Sequence, residues 1–226
     1  MEGPWAFVET TLPHMPLPPI SHRKPIRTER LLIRPLQEDD LQAYHELRLQ
    51  PEVMANSRKG RPDRDVEETR LGLNDFLPPR SDETFLLGVF LPSTGELIGE
   101  GGIHTLESSS CGWPEIGYRF KREVWGRGYA TEFLKALLEA WWDLPRHRTR
   151  LRVHSSSIRK GKEVEAVEQV HALTDLQNIG SQKVLAKLGF VEFSEYTEPD
   201  TQEHRLGQPV TLKGYMLSFP GDKTGV

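Results

Sequence analysis

The sequence predicts a mixed α/β fold, and three observations carry that prediction. A strand-like run, Glu115-Ile116-Gly117-Tyr118-Arg119-Phe120, leads through Trp125-Gly126-Arg127-Gly128 into a helical pattern. In that pattern Ala130, Phe133, Leu134, Leu137, Leu138 and Trp141 are apolar and fall on one face of an α-helix. Around this unit the order reads β, α, α and several strands before it, then a strand, a helix and two strands after it. Interleaved helices and strands of this kind share one core.

The elements follow in order. Residues 1–25 hold Pro4, Pro13, Pro16, Pro18, Pro19 and Pro25. Proline removes a backbone donor, so regular structure is not expected there, and residues 1–27 read as a proline-rich arm that Trp5 and Phe7 can dock. Leu31 to Leu36 reads as a short strand ended by Pro35. Asp39 and Asp40 then suit the first turn of a helix carrying Leu41, Tyr44 and Leu47. A polar loop over 55–63 precedes a second helix over about 64–77, stopped by Pro78-Pro79. Residues 84–91 are a continuous apolar strand, and residues 92–96 a hairpin turn into its partner over 97–106. Gly99, Gly101 and Gly102 mark a bulge or close packing in that partner. After the central strand and helix, residues 149–155 alternate as a strand. The charged run 159–169 reads as a solvated insertion. Asn178 starts a last helix, Gly189 ends it, and an antiparallel pair over 190–195 and 210–219 closes the chain.

Composition narrows the function. Hydrophobic residues make up 36% and charged residues 27% of 226, enough for a real core and too little charge for wholesale disorder. A net charge of −4 and a pI near 6.1 argue against nucleic acid as a main partner. The one cysteine, Cys111, excludes an intrachain disulfide. No apolar run approaches the roughly 18 residues that span a bilayer, and the start lacks a signal-peptide pattern. The cytosol is the expected location, and the oligomeric state, monomer or homodimer, is left open.

The two glycines sit where a strand ends and a helix begins. A helix start leaves N–H groups without partners and carries partial positive charge, and glycine lets a ligand approach the backbone. That is an anion site, with phosphate the usual anion. The pair alone is equally an ordinary turn. Neither well-known phosphate loop is present, since Thr131 stands where a third glycine would fall.

Three pieces together resemble the GNAT family of acyl-CoA N-acyltransferases, and within it the ribosomal-protein N-acetyltransferase-like branch. They are Thr28-Glu29-Arg30-Leu31-Leu32-Ile33-Arg34-Pro35-Leu36, then Glu115 to Tyr118 with Trp125-Gly126-Arg127-Gly128-Tyr129-Ala130-Thr131-Glu132, then Asn178-x-x-Ser181 with Val184-Leu185-Ala186-Lys187-Leu188-Gly189-Phe190. The resemblance implies the acyltransferase fold, a mostly antiparallel sheet flanked by helices, over residues 28–219. An insertion interrupts it at about 158–173, and a tail follows at 220–226.

It also implies a site. Acetyl-CoA would be the co-substrate, its pyrophosphate on the backbone of Gly126, Arg127, Gly128, Tyr129 and Ala130, with Thr131 in the same turn. Pantetheine would pair with an open strand edge at Tyr118, Arg119 and Phe120, and Asn178 and Ser181 would hold the cofactor or its loop. An amine would be the acceptor, either a protein N-terminus or a small molecule. Glu115 is the candidate base, and Ser181 either the general acid or a helix support. Glu123 departs from the family's Gln or Arg and would sit unhelpfully near a pyrophosphate unless it points away or pairs with Arg122 or Arg127. No tyrosine follows Asn178, where the family often has one. Tyr129 reads as packing, and His154, ending the fifth strand, lies nearest the expected acceptor cleft. The eight histidines lack paired ligand spacing, so no metal is expected. The competing reading is a catalytically inactive coenzyme A-binding module on the same fold. A nucleotide-binding protein outside the family stands behind it.

Overall fold

The computed structural model describes residues 5–158 and 165–221. In chain order the strands and helices are β1 (Trp5–Pro13), β2 (Ile26–Arg27), β3 (Leu32–Arg34), α1 (Leu41–Arg48), α2 (Pro51–Met54), α3 (Val66–Leu73), β4 (Phe85–Phe90), β5 (Leu97–Thr105) and β6 (Glu115–Phe120). There follow α4 (Tyr129–Trp142), β7 (Arg146–His154), β8 (Gln169–Asp175), α5 (Ile179–Lys187), β9 (Val191–Pro199) and β10 (Pro209–Ser218).

Apolar strands make the centre. β4 is buried along its whole length, as an unbroken apolar run between two layers should be. Its alternate residues serve two helical layers. Phe85, Leu87 and Val89 pack with Phe133, Leu134, Leu137 and Trp141 of α4, while Leu86 and Phe90 pack with Tyr44, Leu47, Leu73 and Phe76 on the opposite face. Eight strands form one sheet in the order β2-β3-β4-β5-β6-β8-β10-β9. Every neighbouring pair is antiparallel except β6 with β8, and these two meet at the single pair Glu115↔His171. Beyond that pair the free edge of β6 is unmatched by β8. The glycines of β5 allow its close pairing with β6: a Cβ at Gly101 would lie 2.5 Å from the Gly117 carbonyl oxygen, and Gly102 adopts φ +145°.

Two expectations fail here. The N-terminal arm is not irregular: β1 pairs antiparallel with β7 over nine residues, from Trp5↔His154 to Pro13↔Arg146. The prolines of residues 5–25 all follow the run Trp5–Leu12 rather than interrupt it, and its alternate residues Val8, Thr10 and Leu12 are buried. Val8 and Leu12 join Leu151, Val153, Trp113 and Cys111 in a separate small core. Farther on, Leu17 is buried in the main core and the Arg23 guanidinium donates to the Thr84 carbonyl at 3.0 Å.

The second failure concerns the insertion expected at about 158–173. Residues 149–154 lie in β7, which belongs to that two-stranded ribbon and not to the main sheet, and Ser155 follows it in a 3-10 turn. The place beside β6 is taken by β8, Gln-Val-His-Ala-Leu-Thr-Asp, which begins inside what read as the insertion at 158–173 and ends two residues beyond it. Residues 159–164 of that insertion, and 222–226 of the expected C-terminal tail, lie outside the described residues.

Because β1 buries Leu12 against β7, Leu12→Ala should cost about 2–4 kcal/mol. Calorimetry should read this as a fall in Tm of about 4–15 °C for a chain of this size. An unchanged Tm would mean that the ribbon is not packed as described.

Candidate active site

The loop after β6 is built from two left-handed glycines, Gly126 at φ +74° and Gly128 at φ +83°. Gly128 is the N-cap of α4, and as a glycine it offers no side chain to the first-turn N–H groups. A Cβ at Gly126 would meet nothing within 4 Å, so the loop faces open space. Gly126, Arg127, Gly128, Tyr129, Ala130 and Thr131 thus form one continuous uncapped helix entry of the kind that receives an anion.

This loop is braced from the chain's first motif. Arg30 donates to the Arg127 carbonyl at 2.9 Å, pairs with Glu132 at 2.6 Å, and lies 4.5 Å over the Tyr129 ring. Glu132 also accepts from Thr28 Oγ1 and the Arg30 N–H. Burial would raise the Glu132 carboxyl, yet these donors hold it below the ordinary carboxylate value. Glu123 is turned away from the glycines. Its carboxylate accepts from Gln50 Nε2 at 3.0 and 3.1 Å, and Gln50 Oε1 accepts from the Arg122 N–H.

On the free side of β6, the Tyr118 hydroxyl lies 2.7 Å from Ser181 Oγ and bridges the gap to α5. Burial pushes the phenol up to about 12, partly offset by that hydrogen bond. Asn178 Oδ1 accepts from the Ser181 N–H at 3.1 Å, which makes Asn178 the N-cap of α5. The Phe120 carbonyl accepts from Trp125 Nε1 at 2.7 Å. The Arg119 side chain points elsewhere, to the buried Glu100 at 2.5 Å, so only its backbone belongs to the edge.

Glu115 begins β6 on the opposite face of the strand from Ile116. His104 Nε2 is 3.3 Å from one carboxylate oxygen and His171 Nδ1 is 3.6 Å from the other. Burial would push the Glu115 carboxyl up, but the two imidazoles outweigh it and hold the carboxyl well below the usual range. Burial likewise opposes charge on His171, yet Cys111 and Glu115 beside it raise the imidazole to about 9. At 3.6 Å Nδ1 has no hydrogen-bond partner, so its contact with Glu115 is electrostatic. Tyr196 of β9 is near enough to have its phenol raised, first by burial and then by Glu198 and Glu115.

His154 is not part of this cluster. It ends β7, stacks edge-on to Trp5 and contacts Ser156 Oγ at 2.6 Å, because β7 left the main sheet. Ser157 Oγ accepts from Trp113 Nε1. Cys111 is buried. Among the described residues no group of His, Cys, Asp and Glu can hold a metal ion, and no helix is long and apolar enough to cross a membrane.

Beyond the cluster, two loops are fastened together. Gln202 Nε2 donates to the carbonyls of Ala55 and Ser57, and Glu203 pairs with Arg61. The 55–64 loop is itself anchored by the buried pair Arg48–Asp63.

Comparison with known proteins shows the family and the fold. The family model described as an acetyltransferase (GNAT) domain matches residues 30–191. The solved structure of a GNAT-family acetyltransferase from Bacillus anthracis superposes with TM-score 0.63 at 20% identity, covering 86% of this chain and 98% of that one. An acetyltransferase from Agrobacterium tumefaciens gives 0.58 at 21%, covering 86% and 94%. A ribosomal-protein-S5-alanine acetyltransferase from Vibrio fischeri gives 0.60 at 14%, covering 88% and 98%. The chain belongs to the GNAT acetyltransferase family, whose members transfer an acyl group from acetyl-CoA. The open glycine loop and the unpaired edge of β6 fit that donor.

The sequence reading missed His104 and His171. Both stand next to an apolar residue in a strand, Ile103 and Val170, but the second lies beside a charged run that hid its strand.

The raised His171 imidazole has a consequence for stability. Its contribution should be complete below about 6.5, the ordinary histidine value, and be lost as pH rises through about 9. Chemical denaturation across pH 6.5–9 should show a decline that His171→Asn flattens. Parallel curves for the two proteins would contradict the assignment.

Proposed function

We propose that the chain is an acetyl-CoA-dependent N-acetyltransferase of the ribosomal-protein N-acetyltransferase-like branch. It passes the acetyl group directly to an amine, a protein N-terminus or a small molecule, in a ternary complex. The catalytic domain is residues 28–219, to which β1 adds a strand. The observation that carries this reading is the parting of β6 from β8 just before the uncapped start of α4.

The helix entry from Gly126 to Thr131 holds the pyrophosphate by its N–H groups, which are oriented before any ligand arrives. The free edge of Tyr118, Arg119 and Phe120 receives the pantetheine as an added strand, and its amides serve the carbonyl oxygen. Asn178 sets the start of α5 so that Ser181 stands opposite Tyr118. Bound acetyl-CoA supplies the thioester carbonyl that the amine attacks.

Freeing an α-amine of pKa about 8 at pH 7 costs roughly 1.4 kcal/mol, and a lysine near 10.4 roughly 4.6. The first is the easier task for the base end of the site, where Glu115 sits with its imidazoles. At the other end the Tyr118–Ser181 hydroxyl pair stays protonated at neutral pH and can return a proton to the leaving thiolate. Glu123 is engaged with Gln50, which removes the objection that its charge opposes a pyrophosphate.

Acetyl-CoA at about 100 times its Kd should stabilise the chain by about 2.7 kcal/mol. That is a Tm rise of about 5–10 °C, which ATP and NAD should not reproduce. Gly128→Glu should abolish the rise, since it places a side chain and a negative charge at φ +83° in the loop. Thiol release with a panel of amines and N-terminal peptides should show turnover. Binding without turnover on any of them would favour an inactive coenzyme A-binding module.

A further inference from the structure

A carboxylate flanked on both oxygens by imidazoles is a poor place to put an amine's proton. Of the three side chains, His171 is 1% exposed, Glu115 17% and His104 37%. His171 is buried within the sheet, its ring edge-on to Phe193. His104 is the one that opens outward. Next to it Gly117 leaves bare backbone, where a Cβ would come within 3.2 Å of His104 Cδ2.

We propose that His104 is the catalytic base, taking the proton of the acceptor amine, and that Glu115 is the positioning residue that orients and stabilises its imidazole. This rests on the N-acetyltransferase reading above. Glu115 Oε1 at 3.3 Å accepts from Nε2–H and so leaves the lone pair on Nδ1. In the step the ammonium N–H bond breaks and an N–H bond forms on Nδ1. The nitrogen lone pair is freed for attack, and the imidazolium then gives the proton to water. Glu115 stays ionised throughout and stabilises the cation, as its depressed carboxyl allows.

The other charged and titratable groups around this face are largely committed. Arg119 of β6 pairs with Glu100 of β5. His171 of β8 shares Glu115. Tyr196, with Glu198 further along β9, lies toward Glu115, and Cys111 is buried against His171.

The test uses the full chain with the amine that the wild type acetylates best. A positioned base contributes 10²–10⁴-fold, so His104→Gln should lower kcat about 100-fold or more at pH 7, with the acetyl-CoA KM changed by less than about twofold. The acidic limb of the kcat–pH profile should vanish. Glu115→Gln should lose only about tenfold in kcat, with the acetyl-CoA KM changed by less than about twofold, because the base keeps its place in the strand but loses the acceptor that orients it. A weakly basic aryl amine, which arrives unprotonated, should shrink the His104→Gln loss to about fivefold or less. His104→Asn repeats the measurement, and the acetyl-CoA Tm rise checks that each variant is folded. The proposal is overturned if His104→Gln keeps its activity within about threefold with the limb intact. It is also overturned if Glu115→Gln loses more than His104→Gln. A wild type that binds acetyl-CoA but acetylates no amine sinks the N-acetyltransferase reading and this proposal together, whereas an active wild type with an active His104→Gln sinks this one alone.

Discussion

The architecture turns on one cross-strand contact. β6 and β8 run parallel and meet at Glu115 and His171, and from there they separate. Parallel neighbours cannot be joined by a tight turn, so a long connection must carry the chain from one to the other. Here α4, β7 and the segment after it make that journey. The separation leaves one edge of an interior strand of the sheet without its partner, a feature that folded proteins ordinarily cover. Burying His171 against the Glu115 carboxylate fixes the point where the parting begins. The same contact, together with His104 on the carboxylate and Cys111 on the imidazole, makes the carboxylate more acidic and the imidazole more basic, so the join in the sheet also shapes the electrostatics around Glu115.

The glycine loop depends on a different arrangement of charge. A glycine N-cap gives α4 no side-chain acceptor, and left-handed backbone at two positions costs little only because both are glycine. Without a brace such a loop would be loose. Arg30 supplies it by holding the Arg127 carbonyl, the Glu132 carboxylate and the face of Tyr129 at once. Thr28 and Arg30, far away in sequence, are thereby tied to the glycine loop, which explains why the opening strand and the loop form one recognisable pattern. The negative charge of Glu123 is spent on Gln50, at the junction of α1 and α2, and not on the loop.

Much of this was legible in the residues. β6 has the bounds its apolar and aromatic pattern indicated, α4 ends at Trp142 before Pro145, and Asn178 and Gly189 mark the two ends of the last helix. These are local signals, in which periodicity and capping chemistry point the same way. What was hidden depended on partners. Trp5 to Leu12 alternates like a strand, but proline density masked it, and its stability comes from β7, more than a hundred residues away. Gln169 to Asp175 contains four polar or charged letters and follows a charged run, yet it is a central strand, because His171, Thr174 and Gln169 are buried there. With β8 hidden behind that run, the sequence pointed to His154 and not to His171. The place of the glycine loop between a strand and a helix could be read from spacing, whereas a cofactor role for it came only with the family resemblance. The imidazoles around Glu115 could not be read from spacing, since three separate strands bring them together.

The central claim is that a coenzyme A thioester occupies the parting between β6 and β8, with its diphosphate on the entry to α4. Amide chemical shifts followed during a coenzyme A titration measure this most directly. The account predicts the largest changes at residues 126–131 and along Tyr118–Phe120, with smaller ones at Asn178 and Ser181. Changes centred on the β1–β7 ribbon or on the 55–64 loop, with the glycine loop unmoved, would contradict it.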